Sequence, residues 1–261
     1  MKLAAQEGMV PGRTLAEKLD NLEKYGYEGI EFGGGGLEGR QDEIINATSQ
    51  SKVKPSTICA GFRGCPLDAD KSQRDLAMSD MKELLKVAAN IGAVGLIMVP
   101  IFGRPRISDL SPYKSARQLE MELLVTLLKE LGDYAEEVGS IVLVEPLNRY
   151  ETHLLNRLEQ GVDVCKQVNS PNVKIMADFF HMSIEERDIP KSIEEAGEYI
   201  YHVHLADSTR LLPGYGHTDF QAGFAALKKI GYDKYMALEC GVPGDGEVEL
   251  PKSAAYMKQW I

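Results

Sequence analysis

The sequence has no segment suited to cross or anchor in a membrane. No stretch approaches the roughly 20 consecutive apolar residues that a spanning helix requires. The first residues, MKLAAQEGMV, contain one lysine and an apolar patch that Gln6 and Glu7 interrupt, which is too short for the core of a secretory signal peptide. We therefore expect a cytoplasmic protein without a membrane partner.

Cysteine and positive charge are both scarce. The four cysteines, Cys59, Cys65, Cys165 and Cys240, include no CxxC pair, which indicates reduced thiols and excludes the common zinc-thiolate and redox motifs. Lysine and arginine number 29 against 39 aspartates and glutamates, a formal net charge of −10. Such a surface repels phosphate backbones, so we expect no nucleic-acid partner, and the lack of a basic cluster favours an unphosphorylated ligand.

Nucleotide-binding glycine motifs are missing as well. The run FGGGG at 32–36 has neither the GxGxxG spacing nor the GK[ST] ending of a phosphate-binding loop. The turn after the first apolar run, EGMVPGRT, lacks a phosphate-binding pattern too, which argues against a doubly wound nucleotide-binding sheet. We interpret 32–36 as a flexible turn between a strand and a helix that lies close to a ligand.

Eight short apolar runs alternate with longer segments of helical period along the whole chain. The predicted strands are 2–6, 29–32, 56–61, 95–100, 141–146, 173–178, 199–207 and 234–241. Gly26, Gly92, Gly139 and Gly231 each follow a helical segment and precede the next run, as helix-terminating glycines do. The pattern predicts a single-domain (β/α)8 TIM barrel over residues 1–261, with an open doubly wound sheet as the alternative.

The last four predicted strands each end near an acidic residue or a histidine. These residues are Glu145, Asp178, His204 and Glu239. Because the C-terminal ends of barrel strands meet at one mouth, we expect the four side chains to lie together. Three carboxylates would repel one another without a positive partner. Their oxygens and one imidazole suit Mn²⁺, Mg²⁺ or Co²⁺ better than a structural zinc ion, so the sequence predicts a divalent metal site.

Further polar residues follow the same strands at short distance. Glu151, His181 and Arg210 lie on the loops after strands five, six and seven, and we expect them to contact a substrate at the mouth. Glu31 and Cys59, at the ends of strands two and three, are expected to face the same mouth.

The chain resembles the xylose isomerase-like TIM barrels, and among them the ketose 3-epimerases of the tagatose and psicose type. The resemblance rests on the motifs EPLNRYE, DFFHM, HVHLADSTR, PGYGHTDF and LEC, covers most of residues 1–261 and is densest from 141 to 241. It implies a sugar isomerase or epimerase that depends on a divalent cation, usually Mn²⁺, with Mg²⁺, Co²⁺ or Zn²⁺ as alternatives. It also implies a homodimer or homotetramer, the common assemblies of that family.

The resemblance implies a role for each site residue. The four strand-end residues would bind the cation, and Glu145 and Glu239 would act as acid and base on opposite faces of a sugar carbon next to a carbonyl. His181 and Arg210 would hold substrate oxygens, and Glu151 would support that end of the site. The cation would stabilise the enediolate that forms when the proton leaves. Return of the proton from the opposite face gives epimerisation, and one-sided return gives aldose–ketose isomerisation.

The sequence leaves the substrate open, because the first two strands lack the aromatic residues that commonly wall the sugar site in such epimerases. Phe62, Phe102, Tyr113 and His217 are the candidates to replace that wall. A lyase or deglycosylase subunit acting on 3-keto-sugars would use the same cation and the same proton abstraction. An endonuclease of the endonuclease IV type is disfavoured because no histidine precedes His153, and a non-catalytic barrel is disfavoured because all four ligands are present.

Overall fold

The β-branched runs form the strands of a closed parallel barrel. The computed structural model describes residues 1–261, and each strand pairs with the next while the eighth pairs with the first. The strands are β1 (Lys2–Gln6), β2 (Gly29–Gly33), β3 (Lys54–Cys59), β4 (Gly95–Met98), β5 (Ile141–Val144), β6 (Val173–Asp178), β7 (Ile200–Leu205) and β8 (Tyr235–Leu238). Leu3 lies opposite Met236 in the pairing that closes the barrel. The predicted (β/α)8 barrel is confirmed, and the open-sheet alternative is wrong.

Helices follow the strands and surround the barrel. They are α1 (Leu15–Tyr25), α2 (Gln41–Ser49), α3 (Lys71–Ile91), α4 (Ala116–Val138), α5 (Leu158–Val168), α6 (Phe179–Glu185), α7 (Ile189–Ala196), α8 (Phe220–Lys229) and α9 (Gly246–Lys258). Thr14 and Ser115 cap α1 and α4 by accepting a hydrogen bond from the third helical N–H. Gly26, Gly92 and Gly139 end α1, α3 and α4 in the left-handed conformation, as predicted. None of the helices is both long and apolar enough to cross a membrane.

Five of the strands end two or three residues earlier than the sequence predicts. Pairing stops at Cys59, Met98, Val144, Leu205 and Leu238. Beyond these points, Pro100 and Pro146 have no N–H to offer a neighbouring strand. Asp207 accepts hydrogen bonds from the backbone N–H groups of Gly214 and Thr218 and so organises a loop instead of continuing β7. The chain therefore leaves the sheet where its polar residues reach the mouth.

Alternate residues of each strand point into two different compartments. The main core lies between strands and helices and contains 62 buried residues, among them Phe179 and Phe220, whose stacked rings are 5.3 Å apart. A separate cluster of Ile97, Leu143 and Met176 fills the barrel interior on the side of β4, β5 and β6. On the side of β2, β3 and β7 the interior carries buried polar side chains instead. This polar side supports the candidate site.

Gly95→Ala is expected to destabilise the barrel. A Cβ on Gly95 of β4 would lie 1.9 Å from the carbonyl oxygen of Ile141 in β5, so the paired backbones must shift. We expect the free energy of unfolding to fall by about 1–3 kcal/mol, the usual cost of overpacking. Gly35→Ala is the control, because a Cβ there meets nothing within 4 Å. Urea unfolding measures both variants, and equal midpoints would contradict the expectation.

Candidate metal centre and active site

The four strand-end residues come together at the barrel mouth. Glu145 follows β5, Asp178 ends β6, His204 lies in β7 and Glu239 follows β8. One ligand atom from each lies within 4.8 Å of the ligand atoms of the other three. Glu145, Asp178 and His204 are buried, whereas Glu239 is partly exposed and forms the open side of the group. We call these four residues the carboxylate cluster.

The imidazole of His204 is oriented with one nitrogen facing the cluster. Its Nδ1 lies 3.3 Å from Glu239 Oε2, 3.9 Å from Asp178 Oδ2 and 4.0 Å from Glu145 Oε1. Its Nε2 faces the other way and lies 3.0 Å from Glu31 Oε1. The ring therefore presents a single nitrogen to the carboxylates.

The residues of the cluster fit a divalent cation. Three of the atoms that face one another, Glu145 Oε1, Asp178 Oδ2 and His204 Nδ1, are buried and have no hydrogen-bond partner in the protein. Buried polar atoms without a partner are rare in folded proteins because leaving them unsatisfied is costly. A cation would satisfy all three at once. Three carboxylates and one imidazole are the donor types that Mn²⁺, Mg²⁺, Co²⁺ and catalytic Zn²⁺ accept.

The electrostatics of the cluster reflect crowded negative charge. Burial raises the pKa of Glu145 well above its ordinary value, because the charge of His204 offsets it only in part. Burial likewise raises the pKa of Asp178 to about 6. Burial also raises the pKa of Glu239, but the nearby positive charges of His204 and Arg210 outweigh it and lower the pKa to about 2. The cluster thus holds more carboxylates than its own cationic groups can neutralise.

His181 points a hydrogen-bond donor toward the cluster. Its Nδ1 accepts a 3.2 Å hydrogen bond from the backbone N–H of Asn148, so the proton of the neutral ring sits on Nε2. That Nε2 lies 3.7 Å from Asp178 Oδ2 and 3.9 Å from Glu145 Oε1. Burial and the nearby Arg210 charge lower the pKa of His181 to about 3, which keeps the ring neutral at physiological pH.

Arg210 lies over the exposed side of the cluster. Its Nη2 donates to Glu239 Oε2 at 3.0 Å, and its Nη1 lies 3.7 Å from Glu151 Oε1. The guanidinium stacks 4.6 Å above the ring of Phe180. Its backbone adopts a left-handed conformation with φ of 56° and accepts a hydrogen bond from the N–H of Gly241 in the loop after β8. The loops after β7 and β8 therefore fix this side chain together.

The structure brings in residues that the sequence patterns did not single out. Asn148 donates through Nδ2 to Glu151 Oε1 at 2.9 Å and also contacts His181, which links two of the predicted substrate residues. Gln6, at the end of β1, donates to Glu239 Oε1 at 3.0 Å. His202 lies two residues before His204 in β7. Because side chains alternate along a strand with a period of two, this spacing could have predicted that both histidines point into the barrel.

Glu31 and Cys59 differ in how far they reach the mouth. Cys59 Sγ lies 3.6 Å from Glu239 Oε1, next to the cluster as expected. Glu31 also points into the barrel interior, but it is fully buried on the far side of the His204 ring. Its carboxylate is held there by buried hydrogen-bond donors, so it lies beneath the cluster and not at its open side.

The aromatic candidates do not form a continuous wall. Phe102 and Tyr113 lie on the loop between β4 and α4 with 57% and 75% of their surface exposed. His217 is exposed and bonds Ser208 Oγ at 2.9 Å, and Phe62 packs against the core outside the barrel. The proposed replacement of the missing wall is therefore not seen in this conformation.

The glycine run after β2 is a tight turn pressed against the next loop. A Cβ on Gly34 would lie 2.1 Å from the carbonyl oxygen of Ala60, so only glycine allows the two backbones to approach this closely. A cavity of about 430 Å³ lies beside it, lined by Gly34–Gly36, Gly61, Arg63 and neighbouring acidic residues. The glycines themselves contribute no side chains to this part of the rim, so its polar groups come from Arg63 and the acidic residues around the cavity.

Comparisons with known proteins identify sugar epimerases as relatives. A family model described as "Xylose isomerase-like TIM barrel" matches residues 19–260. The 3-dehydro-D-guloside 4-epimerase of Escherichia coli (strain K12) is 28% identical to this chain over 241 residues, 92% of each protein. A D-psicose 3-epimerase of Enterocloster bolteae is 29% identical over 243 residues, 88% of this chain and 78% of that protein.

Solved structures show the same architecture. The crystal structure of a 3-keto-D-glucoside 4-epimerase from E. coli matches with a TM-score of 0.90 at 27% identity and covers 99% of both chains. A structure described as an AP endonuclease of family 2 from Brucella melitensis matches with a TM-score of 0.79 at 21% identity. The second likeness shows the fold alone.

Asp178→Asn is expected to weaken metal binding without removing the hydrogen bond that caps α6. The Oδ1 atom, which accepts the Phe180 N–H at 2.6 Å and caps α6, is retained in asparagine, whereas the negative charge is lost. We expect the affinity for Mn²⁺ to fall at least about 100-fold, since even groups that only support metal ligands contribute 10–100-fold. Calorimetric titration of metal-free protein measures this, and unchanged affinity would contradict it.

The same variant is expected to be more stable than the wild type when both are metal-free at pH 7, by on the order of 2 kcal/mol. The raised pKa of Asp178, about 6, means that the folded wild type binds this proton more readily than the unfolded chain does. Protonation removes this unfavourable charge as the pH falls through 6. The difference in stability between the variant and the wild type should therefore become smaller from pH 7 to pH 5. Thermal unfolding of both proteins between pH 5 and pH 7 measures this difference in stability, and a difference that does not change with pH would contradict the prediction.

Proposed function

The chain belongs to the xylose isomerase-like TIM barrel family, and from this membership and the geometry of the carboxylate cluster we propose that it is a divalent-metal-dependent sugar epimerase. It moves the proton of a carbon that lies next to a ketone in a small, unphosphorylated sugar. The observation that carries the proposal is the convergence of three buried, unpartnered ligand atoms from β5, β6 and β7 with Glu239 from the end of β8.

Glu145, Asp178, His204 and Glu239 would hold the cation, and we assign Mn²⁺ to the site on the family resemblance. A bound divalent cation would polarise the substrate carbonyl and stabilise the negative charge that develops on its oxygen. We place the protein in the cytoplasm, a compartment that suits its four free cysteines. A homodimer or homotetramer is proposed on the same resemblance.

Two carboxylates would carry the proton. β5 and β8 are three strands apart in the eight-stranded ring, so Glu145 and Glu239 reach the centre from different sides. One of the two carboxylates would remove the proton from one face of the carbon, and the other would return a proton to the opposite face. Removal on one face and return on the other inverts the carbon.

His181 and Arg210 would hold the substrate oxygens beside the reacting carbon. The Nε2–H of His181 and the guanidinium of Arg210 are both donors, and their nitrogens lie 3.4 Å apart at the mouth. Asn148 fixes the donor end of His181, and Glu151 is within reach of both Asn148 and Arg210. Neutral and cationic donors at this position would orient a carbonyl or hydroxyl oxygen without competing for the proton.

The substrate class follows from what the relatives share. The names of the two curated relatives describe inversion at the carbon next to a ketone, at C3 of a ketose or C4 of a 3-keto-glycoside. The match extends over 92% of the glycoside 4-epimerase and 78% of the psicose epimerase. We therefore propose keto-sugars of both kinds as substrates to be tested, with 3-keto-glycosides first.

The central experiment incubates the Mn²⁺-loaded protein with ketoses and 3-keto-glycosides in D₂O, removes the metal with a chelator and analyses the sugars by NMR. We expect the inverted epimer with deuterium at the carbon next to the ketone. Release of an aglycone would instead support the lyase alternative. Absence of both products across the panel would count against the proposal.

Glu239→Gln is expected to lower kcat for epimerisation by about 10²–10⁴-fold, the usual contribution of a general acid or base. Glu151→Gln is the matched control, because Glu151 lies at the mouth but outside the carboxylate cluster. It should mainly raise KM while deuterium exchange continues. Initial rates for both variants at saturating Mn²⁺ measure the difference, and similar kcat values for the two would refute the assignment of Glu239 as a proton carrier.

A further inference from the structure

A second layer of polar side chains lies in the barrel interior behind the carboxylate cluster. Glu31 of β2 is its centre and is fully buried. His204 Nε2 lies 3.0 Å from Glu31 Oε1, and His202 Nε2 lies 2.9 Å from Glu31 Oε2. The Thr57 hydroxyl donates to Oε2, and the Gln6 amide donates to Oε1 at 3.0 Å. One carboxylate thus faces four side-chain donors.

This arrangement fixes the position of the proton on His204. An ionised carboxylate only accepts hydrogen bonds, so the His204 nitrogen that faces Glu31 must carry a proton. In the neutral ring the other nitrogen, Nδ1, then has a free lone pair, and it is Nδ1 that faces Glu145, Asp178 and Glu239. Without Glu31, the ring would also be free to carry its proton on Nδ1, where the proton would point at the cation.

We propose that Glu31 is a positioning residue that holds His204 as the Nε2–H tautomer and thereby sets the affinity of the carboxylate cluster for a divalent cation. The inference rests on the metal site of the proposed function. Carboxylates that orient metal-bound histidines in this way also raise the basicity of the ring. Gln6 extends the effect, because its amide nitrogen joins Glu31 Oε1 to Glu239 Oε1, both at 3.0 Å.

The alternative is that Glu31 is only a satisfied polar group of the interior. Glu31→Gln and Thr57→Val distinguish the two roles. The first keeps the shape of the side chain and removes its charge beside His204, whereas the second removes a hydrogen bond to Glu31 but leaves the contact between Glu31 and His204 in place. Both act on the same buried layer, so a loss of packing or polarity should affect them alike.

The experiment uses metal-free full-length protein, with circular dichroism to establish that each variant is folded. Titration with Mn²⁺, followed by the paramagnetic resonance signal of the free ion, measures affinity. We expect Glu31→Gln to bind about 10–100-fold more weakly than the wild type and Thr57→Val to bind nearly as tightly. Equal affinity of Glu31→Gln and the wild type would overturn the inference, and so would an equal loss in both variants.

The wild type provides a second test that needs no Glu31 variant. The protein has five histidines, and after ¹⁵N labelling the Mg²⁺-loaded form should show His204 with its proton on Nε2 and a downfield, slowly exchanging N–H resonance. The signal is assigned by its loss in His204→Gln. A proton on Nδ1 would overturn the inference. Failure of the wild type to bind any divalent cation would overturn the proposed function, and with it this inference.

Discussion

Mutual repulsion of three carboxylates within one small volume is the constraint around which the mouth of this barrel is built. Glu145 and Asp178 are buried there, where water cannot screen their charges, and Glu239 completes the group from the open side. The protein supplies only two cationic partners: the imidazole of His204 within the group and Arg210 at its edge. Such an arrangement favours either protonation of the carboxylates or a further positive charge, and this is the physical basis of the divalent cation that we propose for the site.

The closed barrel makes this crowding attainable. Four successive strands end at one rim, so four residues spread over almost a hundred positions of sequence meet without a specialised loop. The interior behind them is divided, with apolar side chains from β4, β5 and β6 and polar side chains from β2, β3 and β7. The polar half supports the histidine, and the apolar half fills the interior on the side of the strands that lead to Glu145 and Asp178.

The sequence predicted the barrel and the cluster because both depend on short-range patterns. Alternating runs mark the strands, and a polar residue at the end of a buried run marks the rim. Gln6 and Asn148 were beyond that method, because each acts through a partner that no local spacing identifies; Gln6 and Glu239 are separated by 233 positions. Strand ends were misjudged because apolar composition continues past the last paired residue, as after Met98, where Val99 is still buried but unpaired. The hydrogen-bond partners of Glu31 could not be predicted either, because they come from three other strands.

Asp178 combines two duties in one side chain, since Oδ1 caps the first turn of α6 and Oδ2 faces the centre of the cluster. Helix α6 carries His181, so the atom that caps the start of the helix also helps to place the His181 imidazole beside the cluster. Few substitutions of Asp178 can therefore keep both functions. Glutamate would keep the negative charge but displace the start of α6, and asparagine would keep the helix cap but lose the charge.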